Sequence, residues 1–124
     1  MAIDEDKRQF ASHVVDIMQV IGPVYSKRMF GGHGIFLDGL MFGLIADNSL
    51  YLKVDDETRP AFDAQGLQPF TYQRKGGSAS LNYYQAPEEA MEDLEIMRDW
   101  AVPAFEVALR AAARKTRKSP RLPT

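Results

Sequence analysis

Arg28 is followed three residues later by Gly31-Gly32-His33-Gly34, a combination that can hold an anion. Glycines let backbone amides approach a ligand closely, and a guanidinium supplies charge and a fork of donors. Phosphate-cradling loops, however, lead from a strand into a helix and carry a GKS or GKT signature. Here Ile35-Phe36-Leu37 follows and reads as a strand. A tight sheet corner with a positive φ at Gly31 or Gly32 is therefore the favoured structural account. Arg28, Gly31, Gly32 and the more distant Lys53 are retained as a candidate anion or partner surface. Asp55-Asp56-Glu57 offers clustered carboxylates for acid–base work or a hard cation, but it stands where a helix should start. Acids there satisfy free amides and the helix dipole.

Other chemistry finds few residues to use. The chain has two histidines, His13 and His33, and no cysteine. That excludes thiol catalysis and cysteine zinc clusters and offers no histidine pair at ligand spacing. No metal and no cofactor is expected. No serine lies in a nucleophile-elbow motif, and two histidines leave few members for a Ser-His-Asp triad. Tyr51, Phe70, Tyr72, Tyr83 and Tyr84, near Lys53, Arg74 and Lys75, could stack bases on a sheet face. No RNP-type motif accompanies them, half the side chains on such strands must face the core, and core and hairpin packing is the favoured account. The chain is read as non-catalytic.

The elements that would position these residues follow from periodicity. Phe10, Val14, Ile17, Met18 and Ile21 recur at spacings of three and four, which predicts a helix over 5–21 with Asp4 as its cap. Gly22-Pro23 ends it. From Val24 the period shifts to two, predicting a strand over 24–30, then the glycine corner, then a hairpin turning at Asp38-Gly39. Asp47-Asn48 reverses the chain into a strand over 49–54, with Leu50 and Leu52 facing the core and Tyr51 and Lys53 facing away. A short helix from Asp55 to about Gln65 closes at Gly66. Two strands, about 68–73 and 80–85, turn through Arg74-Lys75-Gly76-Gly77. The last helix spans about 93–114 on a stripe of Met97, Trp100, Ala104, Val107 and Ala111, and Pro103 lies inside it and is expected to kink it. The predicted class is α+β: an antiparallel sheet, meander plus C-terminal hairpin, flanked by N-terminal and C-terminal helices.

Length and charge bound the rest. The 124 residues suit one domain, expected over 1–114, followed by a basic, disordered tail over 115–124. The N-terminus is acidic, unlike a signal peptide, and no apolar run approaches a bilayer span. The cytoplasm is the expected compartment and no membrane is expected as partner. All seventeen acidic residues lie at or before Glu106, and six cations stand from Arg110 onward. An acidic body repels phosphate, whereas Arg114, Lys115, Arg117, Lys118 and Arg121 form a candidate nucleic-acid tail.

Taken together, three short motifs resemble a known family. They are Arg28-Met29-Phe30-Gly31-Gly32-x-Gly34-Ile35-Phe36, Asp38-Gly39-x-Met41-Phe42-Gly43 and Leu50-Tyr51-Leu52-Lys53-Val54-Asp55. The series continues through Gly66-Leu67-x-Pro69-Phe70-x-Tyr72, Tyr83-Tyr84-x-x-Pro87 and Trp100. In this order the motifs resemble the N-terminal domain of the TfoX/Sxy competence regulators, over roughly 10–113. The resemblance implies an antiparallel sheet flanked by helices. It also implies a bacterial cytoplasmic protein tied to transcriptional control of DNA-uptake genes, in the best-known members as a co-activator with the cAMP receptor protein. Those regulators carry a second, helical C-terminal domain, whereas this sequence ends in a basic tail, as a stand-alone form of the domain would. The family supplies no catalytic residues to carry over.

The leading expectation is a protein-interaction module in gene regulation, with the cAMP receptor protein or RNA polymerase as the partner by resemblance. The alternative is weak, non-specific nucleic-acid binding through the tail. A small-ligand sensor or enzyme built around Arg28 and Lys53 is the third reading. Homodimerisation is left open.

Overall fold

The computed structural model describes residues 2–29 and 31–118. Its sheet is built on tight reversals. Strand β1 (Tyr25–Met29) pairs with β2 (Gly32–Leu37), and β2 turns into β3 (Leu40–Ala46) through Asp38 and Gly39 at φ 52° and 78°. Asp47 and Asn48, at φ 52° and 59°, lead into β4 (Ser49–Lys53). Two consecutive left-handed residues match the right-handed twist of the strands they join, which is why Asp, Asn and Gly stand there. Strands β5 (Pro69–Arg74) and β6 (Gly77–Gln85) form the last hairpin. All pairings are antiparallel, in the order β1-β2-β3-β4-β6-β5. The expected meander and hairpin are thus one six-stranded sheet, joined where β6 pairs with β4.

The glycine corner is tighter than its sequence suggests. Gly31 alone occupies the left-handed region, at φ 77°, and Gly32 already pairs with Met29 and His33 with Arg28. Gly32 has a different reason to be glycine: a β-carbon there would overlap the carbonyl oxygen of Ile45.

Helix α1 (Ala2–Met18) continues into a 3₁₀ turn over Gln19–Ile21. Asp4, expected as its cap, lies inside the first turn, where acidic residues complement the helix dipole. Helix α2 (Arg59–Ala64) is shorter than expected. The Asp55 carboxylate accepts hydrogen bonds from the amides of Glu57 and Thr58 at 3.0 and 3.2 Å, and that turn replaces the first helical residues. A second 3₁₀ turn (Glu88–Met91) precedes α3 (Leu94–Lys118), capped by Asp93 through the amides of Glu95 and Ile96. Helix α3 therefore runs four residues past the expected end, so the backbone of 115–118 is helical. Residues 119–124, including Arg121, lie outside the described residues.

One core joins helices and sheet. Val14 and Met18 of α1, Ile35 and Phe42 of the sheet centre, Leu50, Leu52 and Val54, and Met97, Ala101 and Ala104 of α3 are all buried. The alanines let α3 approach the sheet closely. Phe105 meets Phe42 edge-on, and Trp100 meets Phe62 of α2 edge-on at 4.8 Å. Side chains alternate across a strand, so the residues between these core positions emerge on the opposite face, which the last turns of α3 border only beside Met41 and Lys53.

Candidate functional site

Two surfaces carry side chains that could bind something. The first is a cleft of about 370 Å³ between α1 and the β1–β2 hairpin, lined by Lys7, Arg8, Arg28, Gly31, Gly32 and His33. Arg28 and His33 are register partners, so both project toward α1, which adds Lys7 and Arg8. Among the described residues, Lys7, Arg8 and Arg28 form no ion pair and no carboxylate lines the cleft. His33 is 9% exposed. Burial, then the charge of Arg28, pushes its pKa below the ordinary histidine value, which favours the neutral ring.

The second surface is the uncovered face of the sheet. The register places Tyr25 beside Phe36, Lys27 beside Gly34, Gly34 beside Leu44, Leu44 beside Tyr51, and Lys53 beside Tyr83. Tyr25 stacks on Phe36 at 5.5 Å, Tyr51 meets Phe70 edge-on at 5.0 Å, and Phe70 stacks with Tyr72 at 6.2 Å. The Lys27 and Lys53 ammonium groups lie over the rings of Phe36 and Tyr83 at 5.1 and 5.2 Å, within cation–π range. Leu44 and Tyr83 are buried by these neighbours, while Tyr25, Tyr72 and Leu81 remain more than a third exposed. None of the six strands contains an aspartate or glutamate, whereas Lys27, Arg28, Lys53 and Arg74 lie in them. The acidity of the body is confined to its helices, turns and loops.

The residues singled out from sequence are re-sorted by this geometry. Arg28, Gly31 and Gly32 do come together. Lys53 does not join them, because β2 and β3 lie between their strands. It instead shares a shallow groove with Leu40, Met41, Ala108, Ala111, Ala112 and Lys115. Burial, then repulsion from Arg114, lowers the Lys53 pKa. Arg114 and Lys115 are exposed on α3. The helical backbone also carries Arg117 and Lys118.

Asp55 serves the fold. Its carboxylate receives Arg110 at 2.9 Å, and this partner, more than the two amides, holds its pKa below the carboxylate range. His13 is exposed, with its Nε2 2.7 Å from the carbonyl oxygen of Met91. Among the described residues no three His, Cys, Asp or Glu side chains gather to hold a metal, and no helix is long and apolar enough to cross a membrane.

Sequence reasoning missed Lys7 and Arg8 as partners of Arg28. The available signal was that Lys7 stands three residues before Phe10 and seven before Val14, on the stripe that faces the sheet, with Arg8 beside it. It also missed the exclusion of carboxylates from the strands, which needs only the charges set against the predicted strands.

Comparison with known proteins agrees with this architecture. The family model described as the TfoX N-terminal domain matches residues 16–108. The DNA transformation protein TfoX1 of Aliivibrio fischeri is 27% identical over 99 residues, covering 68% of this chain and 47% of that protein. The protein Sxy of Escherichia coli K12 is 25% identical over 73 residues, covering 59% of this chain and 35% of that protein. The chain thus spans about half, or less, of the length of these curated relatives. The matched span runs from the second half of α1, through the whole sheet, to Ala108 of α3, and this chain belongs to the TfoX N-terminal domain family.

Proposed function

We propose that this chain is a regulatory module that works by binding and not by chemistry, docking a protein of the transcription machinery on the open face of its sheet. The observation that carries this reading is the uncovered aromatic surface around Tyr25, Phe36, Leu44, Tyr51, Phe70 and Tyr72, on strands free of carboxylates. Tyrosine, phenylalanine and methionine are the residues that concentrate at interface centres, where charged groups are depleted. The name of the Aliivibrio relative, a DNA transformation protein, supports a place in the control of DNA uptake. The cAMP receptor protein and RNA polymerase are the partners to test first.

The experiment is calorimetric titration of the purified chain with each of those two proteins, beside Tyr25→Ser, Tyr51→Ala and Tyr72→Ser variants. Binding that weakens at least tenfold in Tyr51→Ala, with unchanged circular dichroism, supports the reading. Absence of binding to either protein, or binding indifferent to all three substitutions, refutes it.

A second reading has its own observation. Lys27 and Lys53 on the same face, in strands that contain no acidic residue, suit a single-stranded nucleic acid, whose bases would stack on exposed Tyr25 and Tyr72. Those two rings stand on the opposite edge strands of the sheet, too far apart for neighbouring bases, so the protein partner is preferred. Steeply salt-dependent binding of an oligonucleotide that is lost in Tyr25→Ser and Tyr72→Ser would reverse that preference.

A further inference from the structure

We propose that the cleft between α1 and the β1–β2 hairpin is a binding site for a phosphate-type oxyanion, held by Lys7, Arg8 and Arg28 with His33 at its wall. This site is separate from the open sheet face: Arg28 and His33 project toward the helices, whereas Lys27 and Phe36 project away from them.

Charge is the first support. Only nine of the basic residues precede Arg110, and three of them line this one cleft, with no ion pair and no carboxylate beside them among the described residues. Cations converge without a counter-charge only at the expense of mutual repulsion, and a bound anion relieves it. Guanidinium groups pair with phosphate oxygens through parallel N–H donors, and an ammonium adds a point charge. Gly31, with open space where a side chain would stand, leaves room on one wall for an anion to reach the backbone. A volume of about 370 Å³ is at the small end of the range, roughly 300–1,000 Å³, occupied by small ligands.

The second support is His33, independent of the cations. It is nine-tenths buried, yet its ring makes no hydrogen bond within the described residues. No fully buried side-chain nitrogen or oxygen among them lacks a partner, so the ring nitrogens of His33 open onto the cleft. A polar group placed this way is completed by a ligand oxygen or by solvent. The groups facing the ring are Arg28 of β1 and Lys7 and Arg8 of α1, all cationic, and Ile45 of β3, its apolar register partner. Burial, and after it the charge of Arg28, favours the neutral ring; a bound oxyanion would offset the second of these, so binding is expected to take up a proton.

The test uses the full chain and three probes. Titration with inorganic pyrophosphate at 0.15 M salt is expected to give one saturable site, weakened at least tenfold in Arg28→Gln and in the double variant Lys7→Gln/Arg8→Gln. The double variant lies on a helix surface and replaces two good helix formers by another, so it stays interpretable if Arg28→Gln fails to fold. Arg98→Gln, exposed on α3, is expected to bind like the parent. Sulfate, whose charge is constant between pH 5.5 and 7.5, is expected to bind at least threefold more tightly at the lower pH, and His33→Gln is expected to flatten that dependence. A single-stranded DNA dodecamer separates the sources of the phosphate. Competition with pyrophosphate places the ligand in a nucleic-acid backbone, and binding of pyrophosphate without competition places it in a small phosphate ester. No saturable pyrophosphate binding below about 10 mM, or binding unchanged in the double variant, overturns the proposal.

Discussion

Arg110 of α3 reaches back fifty-five residues to Asp55, with its Nε and one terminal nitrogen both 2.9 Å from the same carboxylate oxygen. The other oxygen of Asp55 accepts the amides of Glu57 and Thr58. One half-buried carboxylate therefore ties the exit of β4 to the last helix and closes the turn before α2. Replacing Asp55 with Ala is expected to destabilise the fold by about 1–3 kcal/mol, the usual range for a lost charge-assisted hydrogen bond. The sign with pH follows from the lowered pKa of Asp55. Its contribution is complete above the ordinary aspartate value of about 3.9 and is lost as pH falls below it toward the folded value. Urea unfolding of the parent and Asp55→Asn should differ at pH 6 and converge as the pH falls through 3.

The two adjacent glycines should respond to substitution for different reasons. Gly31 is left-handed with open space around it, so Gly31→Ala is expected to cost about 1 kcal/mol, and Gly31→Asn less, because asparagine tolerates that region. A β-carbon at Gly32 meets the backbone of Ile45, which cannot move without disturbing the β2–β3 pairing. Gly32→Ala and Gly32→Asn are both expected to destabilise by more than about 2 kcal/mol. Chemical denaturation of the four variants checks the contrast, and equal effects at both positions would contradict it.

Tyr83, 8% exposed beneath Lys53, has its pKa pushed up by burial to about 12. Ionisation is resisted in the folded state and normal, near 10, in the unfolded one. Stability from this group is therefore full below pH 10 and lost as pH rises toward 12. Ultraviolet titration should show one tyrosine ionising near 12 that disappears in Tyr83→Phe, and the alkaline loss of stability should shrink in that variant.

The end of α3 separates fold from charge. Ala113, Arg114 and Lys115 are exposed, so removing residues 115–124 is expected to leave the cooperative unfolding transition in place. Arg114 remains, and four cations go. If four such cations contact duplex DNA, log K should fall against log salt with a slope near −3.6, without sequence preference, and the truncation should abolish that binding. Duplex binding that survives the truncation would place the contact on the folded body.

Much of this architecture was legible in the sequence because it rests on local chemistry. Asp38-Gly39 and Asp47-Asn48 announce two-residue turns through the φ angles those residues tolerate. Leu50, Leu52, Tyr51 and Lys53 announce their faces through simple alternation, and the core positions of α1 and α3 through helical periodicity. The absence of cysteine removes whole classes of chemistry by composition alone. Boundaries were less legible. Asp55 reads as a helix start, yet its carboxylate closes a turn and binds Arg110, a partner too distant in sequence to anticipate.

Which candidate residues meet was decided only by the tertiary structure. Arg28 and Lys53 look equivalent along the chain, but the strand order puts two strands between them. Arg28 meets Lys7 and Arg8 because α1 packs across the β1–β2 hairpin, and Lys53 meets the cationic end of α3 because that helix crosses the end of β4. Residue types and spacing determine which turns, strands and helices form, since those depend on interactions within a few residues. Burial of His33, the raised pKa of Tyr83 and the convergence of Lys7, Arg8 and Arg28 depend on packing between segments far apart in the chain. Such contacts arise only when the whole hydrophobic core closes.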